Sequence, residues 1–289
     1  MFEFEESQAK AKILMEALPY VRRFRGSIFV VKYGGSFMDS PDPKVRSGVA
    51  MDLVFLNFVG IKVVVVHGGG KAINRELENR GIKPQFLDGL RVTDKQTIEA
   101  VDTVLNEQVN GEVAQFVSSY DCDVQRFPGK TVLSCEKLQG EHDLGYVGQV
   151  TEVKVEPILQ ALENGQMPIL SSTASDREGT CFNVNADNVA SKVAVALGAR
   201  RLVYLSDVPG LLEDPKDSSS LLSSLPVNEV DPLKQRGVIS AGMLPKVNSA
   251  VEALKSGVNR VHFIDGRMPH SILLEIFTDQ GIGTEIVHS

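Results

Sequence analysis

The sequence predicts an α/β protein built on a parallel sheet with helices on both faces, and three observations support this fold class. Val63–Val66 is an unbroken run of valines, which predicts a strand buried on both sides. That strand and an earlier one, Ile28–Lys32, both end near consecutive glycines, as strands do at the ligand-binding edge of such sheets. Apolar strands also alternate with helical patterns through both halves of the chain.

Composition is that of an ordinary globular protein and narrows the expected partners. The 289 residues can form one large domain or two smaller ones, and 43% hydrophobic with 23% charged content is typical of soluble proteins. The formal net charge of −7 argues against nucleic acid as a principal partner. The chain contains no long apolar run, so no membrane association is expected.

The first residues and the cysteines indicate a cytoplasmic protein. Residues 1–6 are mainly acidic, whereas a signal peptide begins with basic residues. Cys122, Cys135 and Cys181 are an odd number of cysteines without metal-ligand spacing. Structural disulfides and a zinc site are therefore not expected.

The chain opens with an amphipathic helix, predicted from about Glu5 to Tyr20. Ala9 and Ile13 fall on one side of this helix. Pro19 is expected to kink or stop it near its end. A helix ahead of the first strand either packs on its own domain or projects as an arm that docks on another subunit.

Two strand ends predict anion binding. Lys32 stands at the tip of the first strand, where it either reaches solvent or meets an anion that offsets its desolvation. Gly34 and Gly35 follow it, and residues 68–70 form a triple glycine at the start of a predicted helix. Glycine backbone and a helix N-terminus can both present N–H groups to phosphate or carboxylate. Adjacent parallel strands would place the two turns side by side.

Two motifs in the middle of the chain add candidates. Residues 88–94 form a turn before a helix, and Arg91 in it has the fork geometry that grips a carboxylate, although the turn alone also fits a surface arginine. Asn183–Asp187 begins an Ala/Val-rich helix, so its polar side chains are caps or site residues. A calcium loop is excluded, because Asn188 and Ala194 stand where glycine and a bidentate glutamate are needed.

A second series of strands and helices begins after residue 199. The strand Arg201–Ser206 ends in the turn Asp207–Leu212, and Gly242–Lys246 precedes a helix. We therefore place a lobe boundary near residue 199. The predicted segments are a helix at 1–25 for oligomerisation, an N-terminal lobe at 26–199 and a C-terminal lobe at 200–289.

Three familiar motifs are incomplete in this chain. The His-Gly-Gly-Gly of some lipases requires a Gly-x-Ser-x-Gly turn, but Val238 replaces the first glycine around Ser240. Gly129-Lys130-Thr131 resembles the end of a P-loop, but Val124 stands where its first glycine belongs. No Gly-x-Gly-x-x-Gly follows a strand, so a nicotinamide enzyme is not indicated.

Together the motifs resemble those of one family. In chain order they are Lys32–Gly35, His67–Gly70, Gly89–Thr93, Asn183–Asp187, Ser206–Leu211 and Gly242–Lys246. Their order resembles the amino acid kinase family, and within it the members that phosphorylate N-acetyl-L-glutamate in arginine biosynthesis. The resemblance extends from about Leu18 to Ile286. Residues 125–131 depart from it, because a Gly-Lys-Asp-Gly-like hairpin is expected there.

The resemblance implies a fold and a reaction. The family fold is an open, mainly parallel αβα sandwich with an N-terminal substrate lobe and a C-terminal ATP lobe. The implied reaction moves the γ-phosphoryl group of MgATP onto the side-chain carboxylate of N-acetyl-L-glutamate. A glutamate side chain, with a pKa of about 4.3, is already ionised at neutral pH, so no general base is required. Mg²⁺ would be held mainly by the ATP phosphates, with no protein side chain as ligand.

The resemblance also implies a role for each matching residue. The implied catalytic residues, which stabilise the phosphoryl group or hold the ammonium groups that do so, are Lys32, Lys246 and Asp187. The implied substrate-binding residues are Gly34, Gly35, Gly69, Gly70, Arg91 and Asn183. The implied ATP-binding residues are Asp207, Val208, Pro209, Gly210, Leu211, Leu212, Val238, Ile239 and Ser240.

The terminal segments resemble those of family members that L-arginine inhibits. Such members exchange N-terminal helices to form a homohexamer, a trimer of dimers. The implied arginine contacts are Tyr20, His270 and Glu275. A PII-like signalling protein is a further implied partner.

Three alternatives remain. An aspartokinase would be expected to carry regulatory domains after the kinase lobe. A kinase of aminoadipate or glutamate linked to a carrier protein is disfavoured by the acidic charge, which would repel an acidic carrier. A non-catalytic arginine-sensing member is disfavoured because Lys32, Lys246 and Asp187 are all present.

Overall fold

The computed structural model describes residues 2–34, 43–214, 216–239 and 242–289. Its strands are β1 (Ile28–Tyr33), β2 (Lys62–His67), β3 (Phe86–Leu87), β4 (Leu90–Arg91), β5 (Val124–Phe127), β6 (Leu133–Lys137), β7 (Gly148–Val153), β8 (Met167–Ser171), β9 (Thr173–Ser175), β10 (Cys181–Asn183), β11 (Arg201–Ser206), β12 (Ser224–Pro226), β13 (Arg260–Asp265) and β14 (Thr284–Val287). Its α-helices are α1 (Phe2–Phe24), α2 (Pro43–Phe58), α3 (Gly70–Asn79), α4 (Lys95–Thr103), α5 (Asn110–Ser118), α6 (Gly129–Val132), α7 (Val155–Glu163), α8 (Ala186–Ala196), α9 (Val230–Gln235), α10 (Leu244–Lys255) and α11 (Ser271–Ile276). A π-helical segment, Val104–Val109, joins α4 to α5.

The centre of the fold is an eight-stranded sheet in the order β12-β14-β13-β11-β1-β2-β8-β5. Each neighbouring pair in it is parallel except β13 with β14. The predicted mainly parallel α/β architecture is therefore confirmed. β1 and β2 lie in the middle of the sheet, as their apolar composition requires.

Alternate residues of the central strands enter two separate cores, one on each face of the sheet. Val64 and Val66 belong to one core, and Val63 and Val65 belong to the other. All four valines have no exposed surface. This explains why β2 contains no polar residue between its ends, since neither face of the strand meets water.

The two predicted lobes share this one sheet. β11, the first strand after residue 199, pairs in parallel with β1, with Lys32 opposite Tyr204. The strands of the predicted C-terminal lobe continue the sheet outward from β11 through β13. The division into two functional lobes stays a prediction, but their junction lies between two hydrogen-bonded strands.

Two smaller sheets accompany the main sheet. One has the order β10-β9-β6-β7 and carries Asn183 at the end of β10. The other is the hairpin β3-β4, whose turn residues Asp88 and Gly89 have φ of 50° and 79°. Positive φ at both positions is typical of a tight two-residue hairpin, and it sets Arg91 on the returning strand.

α1 differs from the sequence prediction, because it continues through Pro19 to Phe24. The missing N–H of proline removes one helical hydrogen bond, but the following turn is anchored by packing. The Tyr20 ring meets Phe277 edge-on, with 6.3 Å between ring centres, and Phe24 is buried against Phe29. None of the helices in the described ranges is long and apolar enough to cross a membrane.

Candidate active site

The two predicted glycine turns lie side by side at the carboxyl edge of the sheet. β1 and β2 pair with Tyr33 opposite His67, so Gly34 and Gly68 leave the sheet together. The Gly68 N–H donates to the Tyr33 carbonyl over 3.3 Å. α3 begins at Gly70, and the first N–H groups of a helix have no acceptor within it. This edge therefore offers backbone donors to an anion.

A cleft of about 840 Å³ opens at these turns, a size that suits a small-molecule ligand. The sequence-predicted site residues that line it are Lys32, Gly34, Gly69, Gly70, Arg91, Asn183, Asp187 and Asp207. Gly35 and Ser240, which were also predicted, lie outside the described residues. The cleft thus brings together the predicted substrate-binding residues that the structure describes.

Asp187 holds two lysines from distant parts of the chain. Lys32 Nζ forms an ion pair with Asp187 Oδ1 at 3.1 Å, and Lys246 Nζ donates to Asp187 Oδ2 over 2.6 Å. Asp187 and Lys32 are both buried, with 5% and 8% of their surface exposed. Burial alone would raise the pKa of Asp187, but the two ammonium groups hold it below its ordinary value. The three groups together keep one net positive charge.

Local structure fixes the position of Asp187. The Asn185 side chain caps α8 by accepting from the N–H groups of Asp187 and Asn188, over 2.8 and 3.2 Å. Asp187 therefore lies in the first turn of the helix, where the helix dipole favours a negative charge. The buried Tyr204 hydroxyl donates to the Asp187 carbonyl over 3.2 Å. The polar run at 183–187 thus contains both a helix cap and a site residue.

Lys246 reaches Asp187 from the first turn of α10, which packs against α8. Two serine contacts fix the position of these helices relative to each other. The Ser191 hydroxyl donates to the Ser249 carbonyl over 3.0 Å, and the Ser249 hydroxyl donates to Asn188 Oδ1 over 2.6 Å. Each donor is matched with an acceptor, so the helices are held in one register.

The glycines of the two turns are required for different reasons. A Cβ on Gly34 would lie 2.6 Å from Lys32 Nζ, so its absence leaves room for the ammonium group. A Cβ on Gly69 would lie 2.6 Å from Cδ2 of the buried Leu105. A Cβ on Gly70 would meet no described heavy atom within 4 Å. Substitution of Gly70 by alanine would therefore leave the described packing intact, whereas substitution of Gly69 would not.

Arg91 is held at the cleft by contacts that leave one of its guanidinium nitrogens unpaired. Its Nη2 donates to Asn74 Oδ1 over 2.6 Å and to the Gly70 carbonyl over 3.2 Å. Its guanidinium carbon lies 4.7 Å from the centre of the Phe86 ring. Its Nη1 is buried and has no hydrogen-bond partner among the described residues. A carboxylate in the cleft would supply the missing acceptor.

Asn183 is tied to the same motif through Thr93. The Asn183 amide donates to Thr93 Oγ1 over 3.3 Å, and the Thr93 hydroxyl donates to the Arg91 carbonyl over 2.8 Å. Thr93 has no exposed surface. Thr93 therefore connects the Arg91 backbone to the Asn183 side chain.

Sequence reasoning missed several residues that line the cleft or support those that do. Asn74 and Phe86 hold Arg91, and the apolar wall is formed by Leu105, Val109 and Phe116. The wall comes from the π-helical segment and from α5. A π-helical insertion shifts which side chains share a face, so the helical period of 3.6 residues did not identify this wall.

Of the predicted ATP-binding residues, Asp207–Leu212 directly follow β11. Asp207 is exposed and lines the cleft, whereas Leu211 and Ile239 are buried. The Leu211 N–H donates to Thr284 Oγ1 over 2.8 Å. The other described members of the predicted set do not line this cleft; they are Val208, Pro209, Gly210, Leu212 and Val238. Their role in nucleotide binding stays a prediction.

The predicted arginine contacts lie near the end of α1 and around α11. The Tyr20 hydroxyl donates to Asp279. His270 Nδ1 lies 2.7 Å from Asp52 Oδ1 on α2. Both oxygens of the buried Glu275 are engaged within the chain: Oε1 lies 2.7 Å from His262 Nδ1, and Oε2 accepts from the Gly283 N–H over 2.9 Å. The assignment of these residues to an arginine site stays a prediction.

Comparison with known proteins agrees with this geometry. A sequence profile of the amino acid kinase family matches residues 27–265. An acetylglutamate kinase from Carboxydothermus hydrogenoformans is 45% identical over an alignment that covers 97% of this chain and 98% of that protein. The resemblance that the sequence motifs indicated is therefore confirmed.

Two solved structures share the fold. N-acetylglutamate synthase from Neisseria gonorrhoeae complexed with coenzyme A and N-acetyl-glutamate has a TM-score of 0.86 and 26% identity, covering 96% of this chain and 63% of that one. The same synthase complexed with coenzyme A and L-arginine has a TM-score of 0.82 and 25% identity, covering 96% of this chain and 65% of that one. This chain therefore spans less than two thirds of the synthase. The chain belongs to the amino acid kinase family.

Proposed function

We propose that this protein transfers the γ-phosphoryl group of MgATP to the side-chain carboxylate of N-acetyl-L-glutamate, giving N-acetyl-L-glutamyl 5-phosphate. The observation that carries the proposal is the pair of ammonium groups held by Asp187 beside a cleft that also contains the partly unpaired Arg91. The acetylglutamate kinase relative at 45% identity supports this substrate. The N-acetyl-glutamate bound by the synthase supports it as well.

The cleft suits an acylated amino diacid. The free Nη1 of Arg91 is available to the α-carboxylate, and the Asn183 side chain lies at the same end. The apolar wall at Leu105, Val109 and Phe116 suits the acetyl methyl group and the side-chain methylenes. The side-chain carboxylate then extends toward Lys32 and the glycine turns.

Two groups near the lysines that could serve as a general base, Asp187 and His67, are already engaged. Asp187 is held ionised by two ammonium groups and has a lowered pKa. His67 is fully buried, with Nδ1 near the Gly68 carbonyl and Nε2 near Asn110. This favours an acceptor that carries no proton to remove, such as a carboxylate, over a hydroxyl group.

Catalysis then depends on position and charge. When bound, MgATP supplies the phosphoryl group, with Mg²⁺ held mainly by its phosphates. Lys32 and Lys246 would neutralise charge on the oxygens in transfer, with Lys246 nearer the leaving side. A carboxylate oxygen of the substrate forms the new bond to phosphorus, and the bond to the bridging oxygen of ADP breaks. The N–H groups of the glycine turns would hold the acceptor in line.

Regulation and assembly extend the same proposal. L-arginine would inhibit by binding near Tyr20, His270 and Glu275. The complex of the related synthase with L-arginine supports arginine as a ligand but does not bear on this location. Subunits would assemble as a homohexamer through α1, whose Ile13, Leu14 and Met15 are 64%, 70% and 66% exposed. A PII-like protein is a candidate partner of that assembly. The cytoplasm, where ATP is abundant, is the proposed location.

A coupled ADP-release assay tests the reaction directly. The purified protein is supplied with MgATP and, in separate reactions, N-acetyl-L-glutamate, L-glutamate or L-aspartate, each with and without L-arginine. We expect turnover with N-acetyl-L-glutamate and a fall in its rate with L-arginine. Absence of turnover with all three, together with retained arginine binding, would favour the non-catalytic alternative. Turnover with a carrier-linked glutamate, supplied in a further reaction, and with none of the three free amino acids would favour the carrier-linked alternative.

A further inference from the structure

His67 directly precedes the triple glycine, and the proposed reaction gives it no chemical role. It has no exposed surface. Its Nδ1 lies 2.9 Å from the Gly68 carbonyl oxygen, and its Nε2 lies 3.0 Å from the Asn110 side-chain nitrogen. Each ring nitrogen therefore has one hydrogen-bond partner.

The partners of His67 fix its protonation and its tautomer. A carbonyl oxygen can only accept, so Nδ1 must carry the hydrogen that it shares with Gly68. Nε2 must then accept from the Asn110 amide. Burial, with a smaller contribution from Arg126, lowers the pKa of His67 to about 4, which keeps the ring neutral at physiological pH.

The contacts of Asn110 fix the orientation of its amide in the same way. Its nitrogen also donates to the Ile169 carbonyl over 3.0 Å, and its oxygen accepts from Arg126 Nε over 2.9 Å. Neither partner could exchange roles, since a carbonyl cannot donate and a guanidinium cannot accept. The chain of hydrogen bonds from Arg126 to Gly68 therefore has one possible direction.

Arg126 lies in the stretch that departs from the family pattern. It is on β5, an edge strand of the main sheet, and its Nη2 donates to the Asn106 carbonyl over 2.8 Å. Asn106 belongs to the π-helical segment, where the usual pattern of helical hydrogen bonds is interrupted. Arg126 thus connects this segment to Asn110 at the start of α5.

The contact between His67 and Gly68, at the end of this series of hydrogen bonds, fixes the orientation of the Gly68–Gly69 peptide plane in the cleft. In a trans peptide the C=O of Gly68 and the N–H of Gly69 point in opposite directions. The Gly68 carbonyl is held toward a fully buried ring, so the Gly69 N–H points away from the interior. Gly68 and Gly69 both line the cleft.

We propose that Arg126 and Asn110 are positioning residues that hold His67 as the Nδ1–H tautomer and so direct the Gly69 N–H into the cleft. This N–H would bind an oxygen of the acceptor or of the phosphoryl group. That part of the proposal rests on the proposed function. The geometry itself depends on the described contacts alone. We call the hydrogen bonds from Arg126 through Asn110 and His67 to Gly68 the relay. Its loss leaves the glycine backbone free to rotate and lowers the rate of the transfer step.

The tautomer is measured without any substrate. Protein labelled with ¹⁵N-histidine gives two-bond ¹H–¹⁵N correlations that separate Nδ1–H from Nε2–H rings, and His67→Asn assigns the His67 signals by their loss. We expect the Nδ1–H pattern in the wild type and protonation of Nε2 in Asn110→Asp, because a carboxylate can only accept a hydrogen from that nitrogen. An Nε2–H pattern in the wild type, or an unchanged pattern in Asn110→Asp, overturns the proposal. This result stands whether or not the protein phosphorylates N-acetyl-L-glutamate.

Kinetics then separate positioning from structural support. Arg126→Met should lower kcat by ~10-fold, with each KM within about 2-fold, because one preorganised donor is misaligned rather than removed. Arg177→Met, at an exposed arginine, is the control and should match the wild type. His67→Asn keeps a donor at the Nδ1 position and should retain more kcat than His67→Gln, which does not. Equal kcat in the two His67 variants, or wild-type kcat in Arg126→Met, overturns the proposal.

Discussion

Lys246 Nζ donates a 2.6 Å hydrogen bond to Asp187 Oδ2, which fixes an ammonium group from the C-terminal part of the chain beside the cleft. Lys32 approaches the other oxygen at 3.1 Å. Without the carboxylate between them the two cations would repel each other. Asp187 therefore lets two positive groups converge where the phosphoryl group is proposed to pass.

Replacement of either lysine should lower kcat far more than it lowers stability. We expect Lys246→Ala and Lys32→Ala each to reduce kcat by ~10²-fold or more, the scale for loss of one preorganised electrostatic contact. Steady-state kinetics on variants with wild-type circular dichroism measure this. Lys192→Ala, which removes a partly exposed lysine paired with Glu252, is the control. Near-normal kcat in a folded Lys32 or Lys246 variant contradicts the assignment.

Replacement of Arg91 should weaken binding of the amino acid. Arg91→Ala removes the buried Nη1 donor, and a hydrogen bond to a charged group contributes roughly 1.5–3 kcal/mol, so KM for N-acetyl-L-glutamate should rise by about 10-fold or more. Arg91→Lys keeps the charge without the fork and should recover only part of the loss. A change confined to the KM for ATP would contradict the assignment of Arg91 to the amino acid substrate.

Gly70 and Gly69 should respond differently to alanine. Gly70→Ala adds a methyl group where no described atom lies within 4 Å, so it should fold normally while losing activity. Gly69→Ala brings its Cβ within 2.6 Å of Leu105 Cδ2 and should also lower the melting temperature. Thermal melting and kcat/KM on both variants test this. Full activity in Gly70→Ala would remove its backbone from the binding role.

His67 should make stability fall with acid. Its folded-state pKa of about 4 lies below the ordinary 6.5, so the unfolded chain takes up the proton first as pH falls. Its contribution is complete above pH 6.5 and is lost as pH approaches 4, a change on the order of 3 kcal/mol. The difference in unfolding free energy between wild type and His67→Asn, from urea titrations, should shrink between pH 7 and 4.5. A constant difference would contradict the buried neutral ring.

Removal of the exposed part of α1 should reduce the size of the assembly. Deleting residues 1–18 removes the exposed Ile13, Leu14 and Met15 but leaves Tyr20 and Phe24, which pack on their own chain. Light scattering should report a lower molar mass for the deletion and an unchanged mass for the control Lys12→Ala. An unchanged mass for the deletion variant would contradict the proposal that α1 joins subunits.

Much of the fold could be predicted because burial leaves a direct trace in sequence. The valines of β2 are apolar on both faces, and the strand is buried on both faces. The course of α1 could not be predicted in the same way. Pro19 normally ends a helix, and what overrides it is packing of Tyr20 on Phe277, a contact between opposite ends of the chain.

Some residues of the candidate site could likewise be predicted from local sequence patterns, and others could not. Lys32 and the glycine turns could be inferred from where strands end, since parallel strands bring their carboxyl ends to one edge. The convergence of Lys246 on Asp187 followed only from the family resemblance, because no local pattern links them. The relay through Asn110 and Arg126 left no signal at all, since it depends on a π-helical segment and an edge strand that meet only in three dimensions.

Trapping of the product tests the central claim, phosphorylation of a carboxylate, most directly. The protein is incubated with MgATP, N-acetyl-L-glutamate and hydroxylamine, which converts an acyl phosphate into a stable hydroxamate. We predict hydroxamate in amounts equal to the ADP released, none without the amino acid, and a rate lower by ~10²-fold in Lys246→Ala. ADP release without hydroxamate, or hydroxamate formed at the wild-type rate by Lys246→Ala, would contradict the account.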